Sequence, residues 1–177
     1  MFGGTLLKSR NGRFSTFGIL YISEGIPYGF TSIAMDTFLR QNGLALDQIG
    51  LFVATLFIPW TFKFAWAPVI DLIKLNRFGG RKAWIAGSQI MMIITLFMVS
   101  GIDFKAEFSL LLLLVLINNI FCATQDVAID SLAVTTLKPD ERARGNGFMF
   151  GGQYFGIALG GGAAIYIFGL TDFQTAL

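Results

Sequence analysis

Five apolar stretches dominate this chain, each close to the roughly 20 helical residues needed to cross a hydrocarbon layer about 30 Å thick. They run over 14–39, 46–70, 84–101, 108–137 and 148–170. Inside a bilayer every backbone N–H and C=O must be satisfied within the protein, so stretches of this kind fold as helices. The expected class is therefore an all-α integral membrane bundle of about five transmembrane helices. Hydrophobic residues at 54%, with 19 phenylalanines, and a mean hydropathy of +0.66 agree, since a soluble domain could not hide so much apolar surface.

The basic residues predict which way the helices run. Lys8, Arg10 and Arg13 precede the first span, Lys74, Arg77, Arg81 and Lys82 lie between the second and third, and Lys138, Arg142 and Arg144 lie between the fourth and fifth. If the spans alternate, all of these share one side, and the opposite loops hold only Arg40 and Lys105. Short cytoplasmic loops concentrate lysine and arginine, so the amino terminus is expected in the cytoplasm and the chain in the cytoplasmic (inner) membrane as a multi-pass protein. The net charge of +2 follows from this topology and does not point to nucleic acid. The first span is too long for a cleaved signal peptide and carries Glu24 within it. With Cys122 as the one cysteine and no histidine, an internal disulfide, His-based catalysis and His-ligated metal are excluded, and no metal or cofactor is expected. Five spans, ended without a basic tail, read as the front part of a longer protein whose C-terminal half is its missing partner.

Polar residues at membrane depth are costly and are kept where they face a bundle interior or a water-filled path. The fourth span carries such a stripe: Asn118, Asn119, Gln125, Asp126 and Asp130 fall within an arc of about 140° on one helix side. Asn118, Asn119 and Gln125 can offer hydrogen bonds to a polar solute, Asp126 can serve as a proton site or an anchor, and Asp130, nearest the basic loops, suits a structural brace. Interhelical bridging by the same groups is the alternative for the whole stripe. In the first span, Gly25-Ile26-Pro27-Tyr28-Gly29 follows Glu24 near mid-depth, where proline removes a donor and a bend or partly unwound turn is expected. In the second, Lys63 lies between Trp60 and Trp66, three residues from each. Glu24 and Lys63 are expected to approach each other, either as a permanent ion bridge or as a proton-exchanging acid with a lysine that tunes it or holds an anionic solute. Trp60 and Trp66 suit packing, or stacking on a ring-bearing solute. Gly152, Gly156 and Gly160, at steps of four, mark a helix-packing face on the fifth span.

Several of these motifs, taken in order, resemble the major facilitator superfamily. They are Gly25-Ile26-Pro27-Tyr28-Gly29, Pro59 followed by Lys63-Phe64-Ala65-Trp66-Ala67-Pro68-Val69-Ile70-Asp71, Gly80-Arg81-Lys82-Ala83-Trp84, and Ala123-Thr124-Gln125-Asp126-Val127-Ala128-Ile129-Asp130. More narrowly, they resemble the branch that contains AmpG-type muropeptide permeases and the acetyl-coenzyme A transporters of organelle membranes. The resemblance implies a proton-coupled carrier of twelve or more helices in two halves, this chain supplying most of the first. It also implies a cytoplasmic gate made of Asp71, Gly80, Arg81 and Lys82, with Asp130 as the partner of Arg81. Two features depart from the pattern: Ala67 stands where a glycine is usual, and residues 72–77 lengthen the aspartate-to-arginine spacing. The glycine-rich fifth span also lacks the usual proline.

The function expected is secondary active transport of a polar, partly anionic solute together with protons; the resemblance implies a muropeptide as that solute, the alternatives being a carrier of acetyl-coenzyme A or another anionic solute, or a fragment inactive by itself. The implied partners are the solute, protons, the lipid bilayer and the other half of the protein. An enzyme built on Asp126 and Asp130 is disfavoured, because both stand on one helix four residues apart with no facing acid motif.

Overall fold

A computed structural model describes residues 6–73, 75, 77 and 79–170; Lys74, one of the basic loop residues, lies outside the described residues. Five long helical segments fill it, and no strand occurs among the described residues. Helix α1 is α-helical over Arg10–Gly29, π-helical over Phe30–Met35 and α-helical again over Asp36–Gln41. Then follow α2, Leu46–Leu72, α3, Arg81–Ser100, and α4, Phe108–Thr136. Segment α5 is α-helical over Arg142–Ile157, π-helical over Ala158–Ala163 and α-helical over Ala164–Leu170, with a 3-10 turn at Pro139–Glu141 before it.

The ends of these segments have local causes. Ser9 caps α1, its Oγ accepting from the Gly12 N–H at 3.1 Å. At the other end, Gly43 takes φ +80 while its N–H and that of Leu44 donate back to Arg40 and Leu39, a Schellman stop that only glycine enters without strain. Gly79 and Gly80, at φ +101 and +64, turn the chain into α3. Asp103 Oδ1 accepts from the Ala106 and Lys105 amides at 3.1 and 2.9 Å in the loop before α4, and these bonds hold its carboxyl below the usual aspartate range.

Four segments among the described residues are long and apolar enough to cross a membrane: Leu46–Ala65, Arg81–Ser100, Phe108–Thr136 and Pro139–Leu170. Helix α1 has the length but carries more polar side chains, and these turn inward: Arg13, Glu24 and Thr31 are buried. Phe62, Phe64, Ile93, Phe97 and Tyr154 point outward and exposed, a surface suited to lipid tails.

The short connections predict that consecutive helices are neighbours. That holds for α3 and α4, which pack closely, but α1 packs most extensively against α5, and α4 sits at the centre in contact with α1, α2 and α3. The cause is glycine. A Cβ on Gly152, Gly156 or Gly160 would collide with the main chain of Gly18, Ile22 or Ile26, and one on Gly25 or Gly29 with that of Gln153 or Ile157. The two backbones therefore touch without side chains between them. Because numbering rises together on both sides of this seam, α1 and α5 run parallel. Helices α2 and α4 are parallel by the same criterion, Trp60 meeting Asn119 and Lys63 meeting Asp126, whereas Tyr21 to Asp130 and Ser23 to Gln125 make α1 and α4 antiparallel.

A bend or unwound turn is expected at Gly25 to Gly29, but the helix continues through it and relaxes into the π segment that begins at Phe30. Pro27 lacks an N–H, and the Thr31 and Ser32 hydroxyls donate to the Pro27 and Tyr28 carbonyls at 3.0 and 2.6 Å, which loosens the regular ladder there. This segment packs against the π segment of α5, with Ile33 beside Gly161.

Two apolar clusters fill the interior. One gathers Phe30, Met35, Leu39, Phe52, Leu111 and Val115 at the end away from the basic loops; the other gathers Phe14, Phe17, Ile85, Ala128, Ile129 and Met149 towards them. Between them lies a polar layer.

Candidate functional site

Residues seven apart on a helix return to nearly the same face, so Asn119 and Asp126 of α4 both point at α2. There Trp60 and Lys63 meet them. Lys63 Nζ donates to Asp126 Oδ2 at 2.6 Å, and Trp60 Nε1 donates to Asn119 Oδ1 at 3.3 Å. The ammonium also lies 5.3 Å from the centre of the Trp60 ring, within cation–π range, and Tyr28 packs edge-on against that ring with centroids 5.3 Å apart. The Lys63 side chain is 38% exposed and that of Asp126 5%.

Trp60, Lys63 and Asp126 line a cavity of about 540 Å³ whose walls also include Tyr21, Arg142 and Gln153. Its size is that of a site for a small organic solute. It combines the aromatic rings of Tyr21 and Trp60, the cations Lys63 and Arg142, the carboxylates Asp126 and Asp130 and the amides Asn146 and Gln153, together with the apolar side chains of Val134, Met149 and Phe150. Such a lining can hold an anionic or hydroxylated molecule and can also hold protons.

Glu24 stands behind the cavity wall, fully buried. Its Oε1 accepts from Gln153 Nε2 at 3.1 Å, its Oε2 has no hydrogen-bond partner among the described residues, and its carbonyl faces Cys122 Sγ at 3.9 Å. Gln125 Nε2 reaches Ser23 Oγ at 3.4 Å while its Oε1 is likewise without a hydrogen-bond partner.

The expected approach of Glu24 to Lys63 is replaced by two separate pairings, Lys63 with Asp126 and Glu24 with Gln153. The parallel register of α2 and α4 puts Lys63 at the height of Asp126, and that register is not readable from either helix alone. Asn118, expected to face a solute, is turned the other way. Its Nδ2 donates to Met92 O at 3.1 Å and Thr95 Oγ1 at 2.9 Å, stapling α4 to α3. Asn118 and Asn119 differ by about 100° in direction, so a central helix hands them to different neighbours. Asp130 accepts from Tyr21 Oη at 2.6 Å, bracing α4 to α1. Of the expected gate residues, Gly80 caps α3 and Arg81 and Lys82 open it; the side chain of Asp71 lies outside the described residues, as does that of Trp66.

Tyr21, Tyr28 and Gln153 enter the site without having been singled out. For Gln153 a signal existed: it is an amide in an otherwise apolar, glycine-rich span. A second group, Arg13 and Glu141, had no such signal, since each stands among other charges. Arg13 Nε donates to Glu141 Oε2 at 2.8 Å and its Nη2 to Glu141 Oε1, a bidentate clamp with side chains 7% and 3% exposed. Arg13 Nη1 also holds the Leu7 and Lys8 carbonyls at 2.9 and 3.1 Å. The clamp ties the start of α1 to the turn before α5, so these basic segments share one end of the bundle. Arg13→Ala should lower the thermal midpoint in detergent well beyond Arg40→Ala, whose guanidinium meets Asp36 on an exposed surface. A double-mutant cycle with Glu141→Ala should show a favourable coupling; additive effects would assign the loss to Arg13's carbonyl contacts instead.

The family model of the Major Facilitator Superfamily matches residues 17–177. Among curated proteins, the anhydromuropeptide permease of Escherichia coli is 24% identical over 149 residues, which is 84% of this chain and 30% of the permease. An uncharacterized protein of Haemophilus influenzae is 26% identical over 153 residues, 86% of this chain and 36% of its own length. Another, from Schizosaccharomyces pombe, is 29% identical over 152 residues, 78% and 28% of the two chains. This chain thus spans about a third of the length of the curated relatives it matches. No solved structure gives a significant match.

Proposed function

Because the chain belongs to the Major Facilitator Superfamily, we propose that it forms the front part of a secondary transporter that carries a polar, partly anionic solute inward with protons across the cytoplasmic membrane. The solute class we favour is an anhydromuropeptide, the cargo for which the Escherichia coli relative is named. The observation that carries the reading is the polar cavity between membrane helices, with the Lys63–Asp126 pair inside it. A sugar-peptide has hydroxyl, amide and carboxylate groups to match Asn146, Gln153 and Lys63, and a ring face to match Trp60, while Asn119 and Gln125 lie buried behind the cavity wall. Glu24 and Asp126 are the carboxylates of the proton path. A charge lost by protonation at membrane depth changes which arrangement of helices is stable. Asp71, Gly80, Arg81, Lys82 and Asp130 form the gate at the cytoplasmic end, where the amino terminus lies. The remaining wall of the pathway belongs to a C-terminal half.

Full-length protein in proteoliposomes should take up labelled anhydromuropeptide under an inward proton gradient, and an uncoupler should reduce the uptake to background. Uptake unaffected by the uncoupler would overturn the coupling, and no uptake at all would overturn the cargo. Glu24→Gln that keeps its proton dependence would remove Glu24 from the path.

A further inference from the structure

Lys63 has one partner it must share. Its ammonium is held by Asp126 Oδ2 at 2.6 Å, yet the lysine side chain is 38% exposed while the carboxylate is 5% exposed. A molecule in the cavity can therefore reach the ammonium directly, whereas Asp126 has few routes to any other cation. The groups around Asp126 are unbalanced. From α1 come Glu24 and Tyr21, from α2 Lys63, from α5 Arg142 at the cavity wall, and on its own helix Asp130 and Cys122. Helix α3 packs on the far side of α4 and carries its charges, Arg81 and Lys82, in its first turn. Lys63 is thus the ion-pair partner of Asp126 among three neighbouring carboxyl groups, with Arg142 a second cation at the cavity wall, and an anion that took the ammonium would leave Asp126 buried without its partner. That state is costly at membrane depth, and proton uptake removes the charge.

We infer that Lys63 is a counter-ion held in turn by Asp126 and by an oxyanion of the solute, so that each anionic group bound brings one proton onto Asp126. The inference rests on the cavity being the solute site, and it names the solute class as a ring-bearing carboxylate or phosphate whose ring lies on Trp60, 5.3 Å from the ammonium. The step balances: the solute oxyanion forms the ion pair that Asp126 gives up, and the Asp126 carboxylate takes a proton from cavity water. For a carboxylate or a singly ionised phosphate the net charge in the cavity is unchanged. Linkage is reciprocal, so proton availability strengthens anion binding by the same factor that the anion strengthens proton binding.

The test uses full-length protein in detergent and isothermal titration with three probes: glucuronate, glucose 6-phosphate and glucose. Buffers of different ionisation enthalpy count the protons. At least one oxyanion should bind and glucose should not, and the one that binds identifies carboxylate or phosphate as the recognised group. Over the range where Asp126 is ionised in the free protein and protonated in the complex, affinity should fall about tenfold per pH unit, the slope of one linked proton, and it should level off above that range. Asp126→Glu should keep that slope. Asp126→Asn should still bind the oxyanion, with no proton uptake and no pH slope over the same range, and Lys63→Gln should bind neither oxyanion. Glucose binding as well as the oxyanions, an unchanged slope in Asp126→Asn, or oxyanion binding that survives Lys63→Gln would each overturn the inference. Failure of the transport reading is distinguishable. Proton-linked binding in detergent without uptake in proteoliposomes rejects transport alone, and uptake with pH-independent binding rejects the shared counter-ion alone.

Discussion

Lys63→Met should lower the stability of the bundle by about 1–3 kcal/mol, between the ~0–1 kcal/mol of an exposed ion pair and the ~3–5 kcal/mol lost when one partner of a buried pair is removed. The intermediate figure follows from the pair's own asymmetry, a half-exposed ammonium against an almost fully covered carboxylate. Most of the loss comes from Asp126, left without its cation beside Glu24 and Asp130. Replacing both partners at once, as Lys63→Met with Asp126→Leu, should recover stability to within about 1 kcal/mol of the parent, because apolar groups of similar size replace a buried pair at little or no cost. Uptake should stay at background in both variants. Unfolding in increasing denaturing detergent reads the first quantity and proteoliposome uptake the second. A doubly substituted protein that is stable and still transports would make the pair a structural bridge and nothing more.

Gly156→Val should have a larger effect still, with little or no folded, monodisperse protein recovered. A Cβ at Gly156 would fall 2.5 Å from Ile22 O and 3.0 Å from Gly25 Cα. Overpacking a well-filled interior costs about 1–3 kcal/mol when side chains can shift, and here the atoms met are main chain on a neighbouring helix, so the effect lies at or beyond the upper end. Gly151→Ala and Gly162→Ala are the internal controls, since a Cβ at either meets nothing within 4 Å and the added methyl should leave stability nearly unchanged. Equal yields from Gly156→Val and Gly151→Ala, measured by size-exclusion chromatography of the detergent extract, would show that α1 and α5 are not seated as described.

The all-helical class was legible from hydropathy alone, because a run such as Leu110 to Ile117 allows no other structure in a bilayer. The glycine steps on α5 were legible as a packing face because they repeat at helical spacing. Their counterpart on α1 was not: Gly18, Gly25 and Gly29 have no such even spacing, and the pattern completes itself only when two helices lie in register. The same limit governs the site. Periodicity says that Glu24, Lys63 and Asp126 face inward, but height along the bundle axis decides which of them touch, and Lys63 reached Asp126 rather than Glu24. Asn118 shows the second limit, that an arc of about 140° on a central helix is wide enough to serve two neighbours. Charge clusters conceal a third kind of contact. Arg13 and Glu141 look like ordinary loop charges until the fold covers them.

The seam between α1 and α5 also sets how this family member can drift over time. Any codon change away from glycine adds at least a Cβ, and Gly152, Gly156, Gly160, Gly25 and Gly29 each have main chain where that atom would go. Such positions have no neutral neighbours in sequence space, and a compensating change on the partner helix cannot help, since a backbone cannot be made smaller. Polar contacts such as Lys63 with Asp126 can be exchanged in pairs. The side chains that line the cavity can therefore change while the backbone seam beside them stays fixed.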